Sequence, residues 1–293
     1  MWAHCYRMTG SAADADDAVQ ETFARALERP PRDLERPWWP WLVHVATNLC
    51  RDVLRRRRRR SYVGVWLPTP VDTGARLGEG PGEPAEPAAG ERRYEWLESL
   101  SYAFLIALEQ LTPAQRAVLL LRDALDYSTA DVAGALDMSE ANVRTTLHRA
   151  RRAMADYDDS RCPPSPALRE QTRTLLERFL GGVAAGDVGA IEALLAEGVT
   201  AVNDGGGHYA AARVPVRGRR RVARFQVRLR RPEPPRLALC ELNGLPAVVG
   251  QFASHRPHLA PRFALILLPD PRGCIAALHT IVSPEKLAAI AQL

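Results

Sequence analysis

"YSTADVAGALDMSEANVRTTLHRARRAM", residues 127–154, reads as two short helices and the turn between them. Ser128 is an N-cap with Asp131 three residues on, and Val132, Ala133 and Leu136 fall on one side. "LDMS" (136–139) is the turn. Asp137 stands where a left-handed residue is often needed, a conformation Asp tolerates better than most residues. Ser139 caps the second helix, whose Val143, Leu147, Ala150 and Met154 recur at intervals of 4, 3 and 4. Those four make a buried face and leave Arg144, Thr145, His148, Arg149 and Arg152 outward, with Asn142 beside them. A tight turn, two caps and a basic outward second helix follow helix-turn-helix logic. Arg and Asn suit base edges, and Arg and Thr suit phosphates. An ordinary charged helical hairpin is the plain alternative, and the three features together favour DNA.

Just upstream, "LTPAQRAVLLLRDAL" (111–125) starts a helix with Thr112 as N-cap, Pro113 at the first position and Gln115 closing a capping box. Further back, "WPWLVHVATNLCRDVLRRRRRR" (39–60) spaces Leu42, Val45, Ala46, Leu49, Val53 and Leu54 as one helical stripe. The opposite face carries His44, Thr47, Asn48, Arg51 and Arg55. The arginine run therefore continues an amphipathic helix, and at about 100° per residue its six members point all round it. Only some can touch one ligand. "SAADADDAVQETFARALE" (11–28) is a third helix, with Ser11 as N-cap and Asp14 at the capping-box position. Ala15, Ala18, Val19, Phe23, Ala26 and Leu27 read as its buried stripe, opposite an acidic face of Asp14, Asp16, Asp17 and Glu21.

The chain of 293 residues is ample for two or three domains. Its net charge is +5 and its pI about 9.2. Nearly all its basic residues are arginine, and Lys286 is the only lysine, a bias a GC-rich genome would give. Five scattered cysteines form no C-x-x-C pair, so neither a zinc site nor a disulfide framework is indicated, and an odd count suits reduced thiols. No apolar run is long enough to span a membrane and the N-terminus lacks a signal-peptide layout, so a cytoplasmic protein is expected. No metal, cofactor or catalytic motif stands out.

Between 66 and 93 the apolar period dissolves into Pro, Gly, Ala and Glu, as in a linker, and "DYDDSRCPPSPA" (156–167) is a second break. Beyond it come two amphipathic helices joined near Gly186–Asp187, a short strand "TAVND" (200–204), a helix "RGRRRVARFQVRL" (217–229), a hairpin turning at Asn243–Gly244 and two further strands around Asp270–Gly273. Helices followed by a meandering antiparallel sheet make an α+β domain. Asp204, His208, Tyr209 and His279 are the acid–base candidates if that domain has a pocket. "DGGGH" (204–208) reads equally as a structural turn, or as a contact surface between domains.

"YRMTGSAADADDAVQETFARAL" (6–27) resembles region 2.1–2.2 of bacterial sigma factors of the extracytoplasmic-function (ECF) type, and the arginine-ended helix resembles region 2.3–2.4. Residues 108–154 resemble region 4. "SYVGVWLPTPV" (61–71), "DGGGH", "PVRG" (215–218), "NGLPAVV" (243–249) and "SPEKL" (283–287) resemble the SigJ-like subgroup, which carries a SnoaL-like extension. The resemblance implies a multidomain chain: sigma region 2 over 1–62, a linker over 63–95, region 4 over 96–157, a linker over 158–167, and a SnoaL/NTF2-like cone over 168–293. It implies core RNA polymerase and promoter DNA as partners, no enzymatic activity, and room for a small ligand in the C-terminal domain. The polymerase would meet Asp14, Asp16, Asp17, Gln20 and Glu21. His44, Asn48, Arg51 and Arg55 would face the −10 element, with Trp38, Trp39 and Trp41 available to stack on bases. Asn142, Arg144, Thr145, His148 and Arg149 would read the −35 element. The arginine run would lie along phosphates. Asp204, Gly205, Gly206, Gly207, His208, Asn243 and Gly244 would form a control surface through which the C-terminal domain holds the two DNA-reading domains in a closed spacing. Two departures stand out. The chain begins almost on top of "YRM", which implies either a true start upstream or a first helix of region 2 cut short. The glycine motif also ends in His208 where the family has Lys, so a fixed positive charge there is missing. A ligand-responsive helix-turn-helix regulator that never meets polymerase, and a cyclase-type enzyme with a DNA-binding appendage, are the rival readings.

Overall fold

The computed structural model describes residues 1–31, 35, 37–59, 61–73, 95–254 and 256–290. They form two compact units. One holds Met1–Ser61, the described part of Glu79–Leu100, and Phe104–Asp159; the other holds the described part of Tyr62–Gly78, Ser101–Ala103 and the chain from Ser160.

In the first unit α1 (Trp2–Thr9), α2 (Ala12–Glu28) and α3 (Trp39–Arg59) pack on one another. Gly10, in a left-handed conformation, closes α1, and the Ser11 hydroxyl accepts the Asp14 N–H to start α2. All of Ala3–Thr9 is buried, so α1 lies at the centre of this helical group. The buried side of α2 is Ala12, Ala15, Ala18, Thr22 and Ala26. This corrects the expected stripe: Phe23 is 48% and Leu27 87% exposed, and Val19 is half-buried. Small residues let helices approach closely, so the alanine side faces α1 and α3 and the bulkier residues turn outward. In α3 the buried side is Val43, Ala46, Thr47, Cys50 and Leu54, about one position out of phase with expectation. Thr47 is inside because its hydroxyl is satisfied twice, donating to the Val43 carbonyl (2.6 Å) and pairing with His4 Nε2 (2.8 Å).

The chain continues with α4 (Trp96–Ser99), α5 (Tyr102–Leu108, its first two residues in the second unit), α6 (Pro113–Leu119) passing into a π-helical turn at Leu120–Ala124, then α7 (Thr129–Leu136), α8 (Glu140–Ala153) and α9 (Ala155–Ser160, its last residue in the second unit). The capping boxes at Thr112/Gln115 and Ser128/Asp131 form as expected. Asp137 adopts φ 52°, ψ 54°, and Ser139 caps α8. Buried Asp123 accepts two bonds from Arg151, 2.9 and 2.7 Å, fixing α8 to the π-turn. Because α9 runs to Ser160, the break expected over 158–167 begins as helix.

In the second unit α10 (Pro166–Ala185) ends at Gly186, and Asp187 caps α11 (Val188–Leu194). Then follow β1 (Leu195–Asp204), β2 (Val216–Arg217), α12 (Arg219–Arg228), β3 (Arg236–Leu242), β4 (Leu245–Gln251), β5 (Arg262–Pro269), β6 (Ile275–Ile281) and α13 (Pro284–Leu287). The six strands form one sheet in the order β2-β1-β6-β5-β4-β3. It is mixed, not the antiparallel meander expected, because β1 pairs parallel with β6. The returning chain places its last strand beside its first and so internalises both. Leu176, Phe179, Ile191 and Val222 of the helices form one core with Val248, Leu265 and Leu278 of the sheet. Strand alternation puts Ala247, Val249, Ala264, Ile266 and His279 on the opposite face, and these are buried too.

His279 is wholly buried, and burial holds its imidazole down at about 4, against 6.5 for a free histidine. Between those values the unfolded chain takes up a proton that the folded one refuses. Stability should therefore be full above pH 6.5 and fall towards pH 4, by about 3 kcal/mol from this group. Urea titrations from pH 7 to 4.5 check it: His279→Phe should flatten the decline, and an unchanged slope would contradict the assignment.

Candidate nucleic-acid interface and linker clasp

On α8 the five expected base-reading residues, Asn142, Arg144, Thr145, His148 and Arg149, are all exposed on one face, while Val143 and Ala150 anchor the helix from behind. Arg144 is held loosely by Glu140 at 3.2 Å, an exposed pair worth little. The Thr145 hydroxyl donates to the Ala141 carbonyl at 3.0 Å.

On α3 a hydrogen-bonded chain runs along the polar face. Asn48 Nδ2 and His44 Nε2 lie 3.3 Å apart, and Arg51 donates to Asn48 Oδ1 at 2.9 Å. Arg55 is exposed and pairs with Asp52 at 3.0 Å. Trp41 and His44 share a cleft with Tyr127, Ala130 and Gly134 at the start of the helix-turn-helix. Part of the expected −10 face is thus turned towards α7.

The arginine run is put to a different use from the one expected. Arg57 donates to the Thr9 carbonyl at 2.6 Å and lies 3.6 Å from Glu109. Arg58 donates to the Leu111 carbonyl. Buried Arg116 completes the set, donating to the Met8 carbonyl (3.0 Å), the Leu108 carbonyl (2.6 Å) and Glu109 (2.7 Å). These guanidiniums tie the three-helix group to α5 and α6, so Arg57 and Arg58 are structural where a free phosphate contact was expected. A carbonyl at a helix end is an unsatisfied acceptor, and a guanidinium with five donors satisfies several at once. Arg55, Arg56 and Arg59 remain exposed, and Arg60 lies outside the described residues.

Of the expected polymerase-facing residues, Asp17, Gln20 and Glu21 are exposed. Asp16 instead accepts the Trp2 indole N–H at 2.6 Å, and Glu21 pairs with Arg25 at 2.7 Å. Asp14 is half-buried at the N-cap.

The second unit contains the site that the sequence left most open. Residues 63–73, expected as free linker, and Tyr62, expected to close region 2, lie docked on the C-terminal domain, with Leu67–Val71 buried; 74–94 fall outside the described residues. The anchor is Asp204 at the end of β1. Its Oδ1 accepts the Tyr62 hydroxyl (2.5 Å) and the Gly206 N–H (3.1 Å). Its Oδ2 accepts the Leu67 N–H (2.8 Å) and the Lys286 ammonium (2.6 Å). Lys286 also donates to the Leu67 carbonyl at 2.5 Å and lies 4.3 Å from the Trp66 ring centroid. Gly206, at φ 60°, sits where a Cβ would come within 2.9 Å of Ser283 Oγ, which explains a glycine there. The cation on Asp204 is thus Lys286 of "SPEKL". His208 itself is half-exposed, 3.5 Å from Glu285.

A second anchor uses the β3–β4 turn. The Asn243 N–H donates to the Val71 carbonyl (2.9 Å), and Asn243 Oδ1 accepts the Val71 N–H (3.1 Å). The Gly244 N–H donates to Thr73 Oγ1 (3.1 Å), whose hydroxyl donates to Glu241 (3.2 Å). The linker so extends the edge of β3 by one bridge, Asp72 to Leu242. Tyr102 supplies a third hold: its hydroxyl donates to the Pro68 carbonyl at 2.8 Å, and its ring lies 5.7 Å from that of His279. The acid–base candidates do not converge. Asp204 has all four acceptor positions filled, His279 is dry, and His208 and Tyr209 lie outside the core.

Two DNA-reading helical modules and a domain that grips the segment between them describe a transcription factor. The Sigma-70 region 2 family matches residues 1–60 and the Sigma-70, region 4 family residues 103–154. The chain is 35% identical to the ECF RNA polymerase sigma factor SigJ of Mycobacterium tuberculosis, over 96% of this chain and 88% of that protein. It is 32% identical to the ECF sigma factor SigG of the same organism, over 88% and 72% of the two chains. The crystal structure of SigJ is similar at a TM-score of 0.71 and 29% identity, over 99% of this chain and 95% of that one. This chain belongs to the ECF RNA polymerase sigma factors.

Removing one partner of a buried ion pair strands the other. Asp204→Ala should cost about 3–5 kcal/mol, and pairing it with Lys286→Met should recover part of the loss. Denaturant unfolding of the full chain measures both; a double variant as unstable as the sum of the singles would show that the pair is not coupled.

Proposed function

We propose that this ECF sigma factor is regulated in cis, its C-terminal domain holding the connection between regions 2 and 4 so that they cannot separate to span a promoter. As a sigma factor it binds core RNA polymerase and directs promoter recognition. For the −35 element the reading rests on Asn142, Arg144, Thr145, His148 and Arg149. For the −10 element it rests on His44, Asn48, Arg51 and Arg55, and for the polymerase on Asp17, Gln20 and Glu21 beside the exposed Phe23. No helix among the described residues is long and apolar enough to cross a membrane. We infer a cytoplasmic protein, since a sigma factor acts where the chromosome lies.

The observation that carries the proposal is the clasp. Tyr62 lies just past the region 2 match and is bonded to Asp204 of the C-terminal domain, and Tyr102, just before the region 4 match, is bonded to Pro68 of the docked linker. Chain that is held at both ends cannot pay out length. The guanidinium ties from Arg57, Arg58 and Arg116, and the cleft that receives His44, support the same closed arrangement of the two sigma regions. Tethering supplies a high effective concentration, so each hold can be weak. Polymerase opens the arrangement if it has greater affinity for the open state. The C-terminal domain acts here as a restraint and not as an enzyme: Asp204 is saturated by two linker donors together with Gly206 and Lys286, which leaves no lone pair for acid–base work.

Transcription from one matched promoter with core polymerase tests this. Tyr62→Phe and Thr73→Val each remove one hold and should raise promoter-dependent initiation severalfold, with a larger distance between probes on regions 2 and 4. Unchanged output and unchanged distance in both variants would refute the restraint. In the same assay Arg144→Ala or Arg149→Ala should cost about 1–3 kcal/mol of −35 discrimination.

A further inference from the structure

We propose that α12 of the C-terminal domain binds the phosphate backbone of duplex DNA, giving the sigma factor a third, sequence-independent contact with its template; this rests on the sigma-factor reading above. Between Asp204 and Glu233 the chain has nine arginines and not one acidic residue. That segment carries more positive charge than the whole protein's net +5, so the rest of the chain is net acidic. A genome-wide preference for arginine explains the residue type but not this segregation.

Local geometry gathers the charge on one side. Val222, Ala223 and Gln226 of α12 face the core. Arg220, Arg224 and Arg228 recur every fourth residue on the opposite side, with Arg221 alongside and Arg217 in β2 just before, all exposed. Arg220 to Arg228 spans about 12 Å along the helix axis. Duplex DNA offers one phosphate charge per about 1.7 Å of its axis, so such a stripe has several phosphates within reach.

Among the described residues these arginines have no ion-pair partner. Several exposed arginines elsewhere are matched by a carboxylate three or four residues away: Arg25 with Glu21, Arg55 with Asp52, Arg173 with Glu170. Among the described residues none of the α12 stripe makes an ion pair. The arrangement also works against its own helix. Like charges at i, i+4 repel, and cations in the first turn oppose the helix dipole, where α12 has no acidic residue at all. A helix that carries this repulsion unscreened is relieved by a polyanion. A promoter-bound sigma factor has one beside it.

The test is fluorescence anisotropy of the full chain on a random-sequence duplex and on a matched promoter, titrated in salt. Arg220→Gln/Arg224→Gln/Arg228→Gln should weaken both alike and lower the slope of log K against log salt by up to about 2.7, or 0.9 per lost phosphate contact. Arg217→Gln/Arg221→Gln should give a smaller loss of the same kind. The control Arg25→Gln/Arg173→Gln should leave the slope unchanged. Far-UV circular dichroism verifies that α12 remains folded. A wild-type slope in both stripe variants overturns the proposal, and so does loss of binding to phosphatidylglycerol vesicles with the DNA slope intact. Arg144→Ala/Arg149→Ala separates the two readings. If it leaves promoter discrimination untouched while the stripe variants still lose slope, the recognition-helix assignment fails and the α12 contact stands.

Discussion

Asp204 is the point on which the C-terminal unit turns. A carboxylate with no solvent exposure is tolerable only if its charge is neutralised and every lone pair is used. Here one ammonium and three neutral donors do both, and two of the four come from the segment that leaves region 2. Take that segment away and the carboxylate loses the Tyr62 hydroxyl and the Leu67 amide together. The buried charge therefore does more than tolerate the linker: the linker is part of what makes burial of Asp204 affordable. On the sheet face away from the helices His279 lies against Tyr102, whose hydroxyl is tied to the docked chain at Pro68.

The same chemistry recurs in the first unit with the signs arranged differently. There the ties are guanidiniums on main-chain carbonyls, from Arg57, Arg58 and Arg116, with Glu109 as the shared counter-charge. Carbonyls at helix ends are good partners for a reversible contact, because water can replace the guanidinium when the contact opens. An apolar seam would leave exposed hydrophobic surface instead. Polar ties of this kind let helical modules separate at less cost than a hydrophobic core would.

Much of this was legible in the sequence because it is written in local rules. Ser11, Thr112, Ser128 and Ser139 cap where their spacing predicts, Asp137 takes the left-handed turn, and Asn243–Gly244 makes the hairpin. Those depend on a few neighbouring residues. What the sequence did not disclose depends on partners far along the chain. The outward turn of Phe23 and Leu27 follows from which side of α2 fits closely against α1, and periodicity alone favours the larger residues. The parallel pairing of β1 with β6 joins strands some 75 residues apart. The docking of 62–73 was hidden by its composition: "LPTPV" has no period because it lies extended in a groove, and Pro and Gly there look the same as in a free linker. The control-surface residues were picked out by resemblance, but the reason for them, an aspartate awaiting donors from residue 62 and residue 286, is a tertiary fact.

Lys286 shows how a residue's role can be read once its surroundings are known. It is the one lysine in a chain that otherwise uses arginine. Its ammonium reaches Asp204 and the Leu67 carbonyl at once and rests near the Trp66 and Tyr62 rings, 4.3 and 5.1 Å from their centroids. A compact cation with tetrahedral donors fits between two acceptors that are not coplanar and under two aromatic faces. A guanidinium is larger and planar, and its fork prefers one carboxylate taken broadside. Arginine suits the exposed stripe of α12, where reach and multiple donors favour phosphate, and it suits the carbonyl ties of the first unit. It does not suit this pocket. The site's fixed positive charge therefore comes as lysine, from "SPEKL".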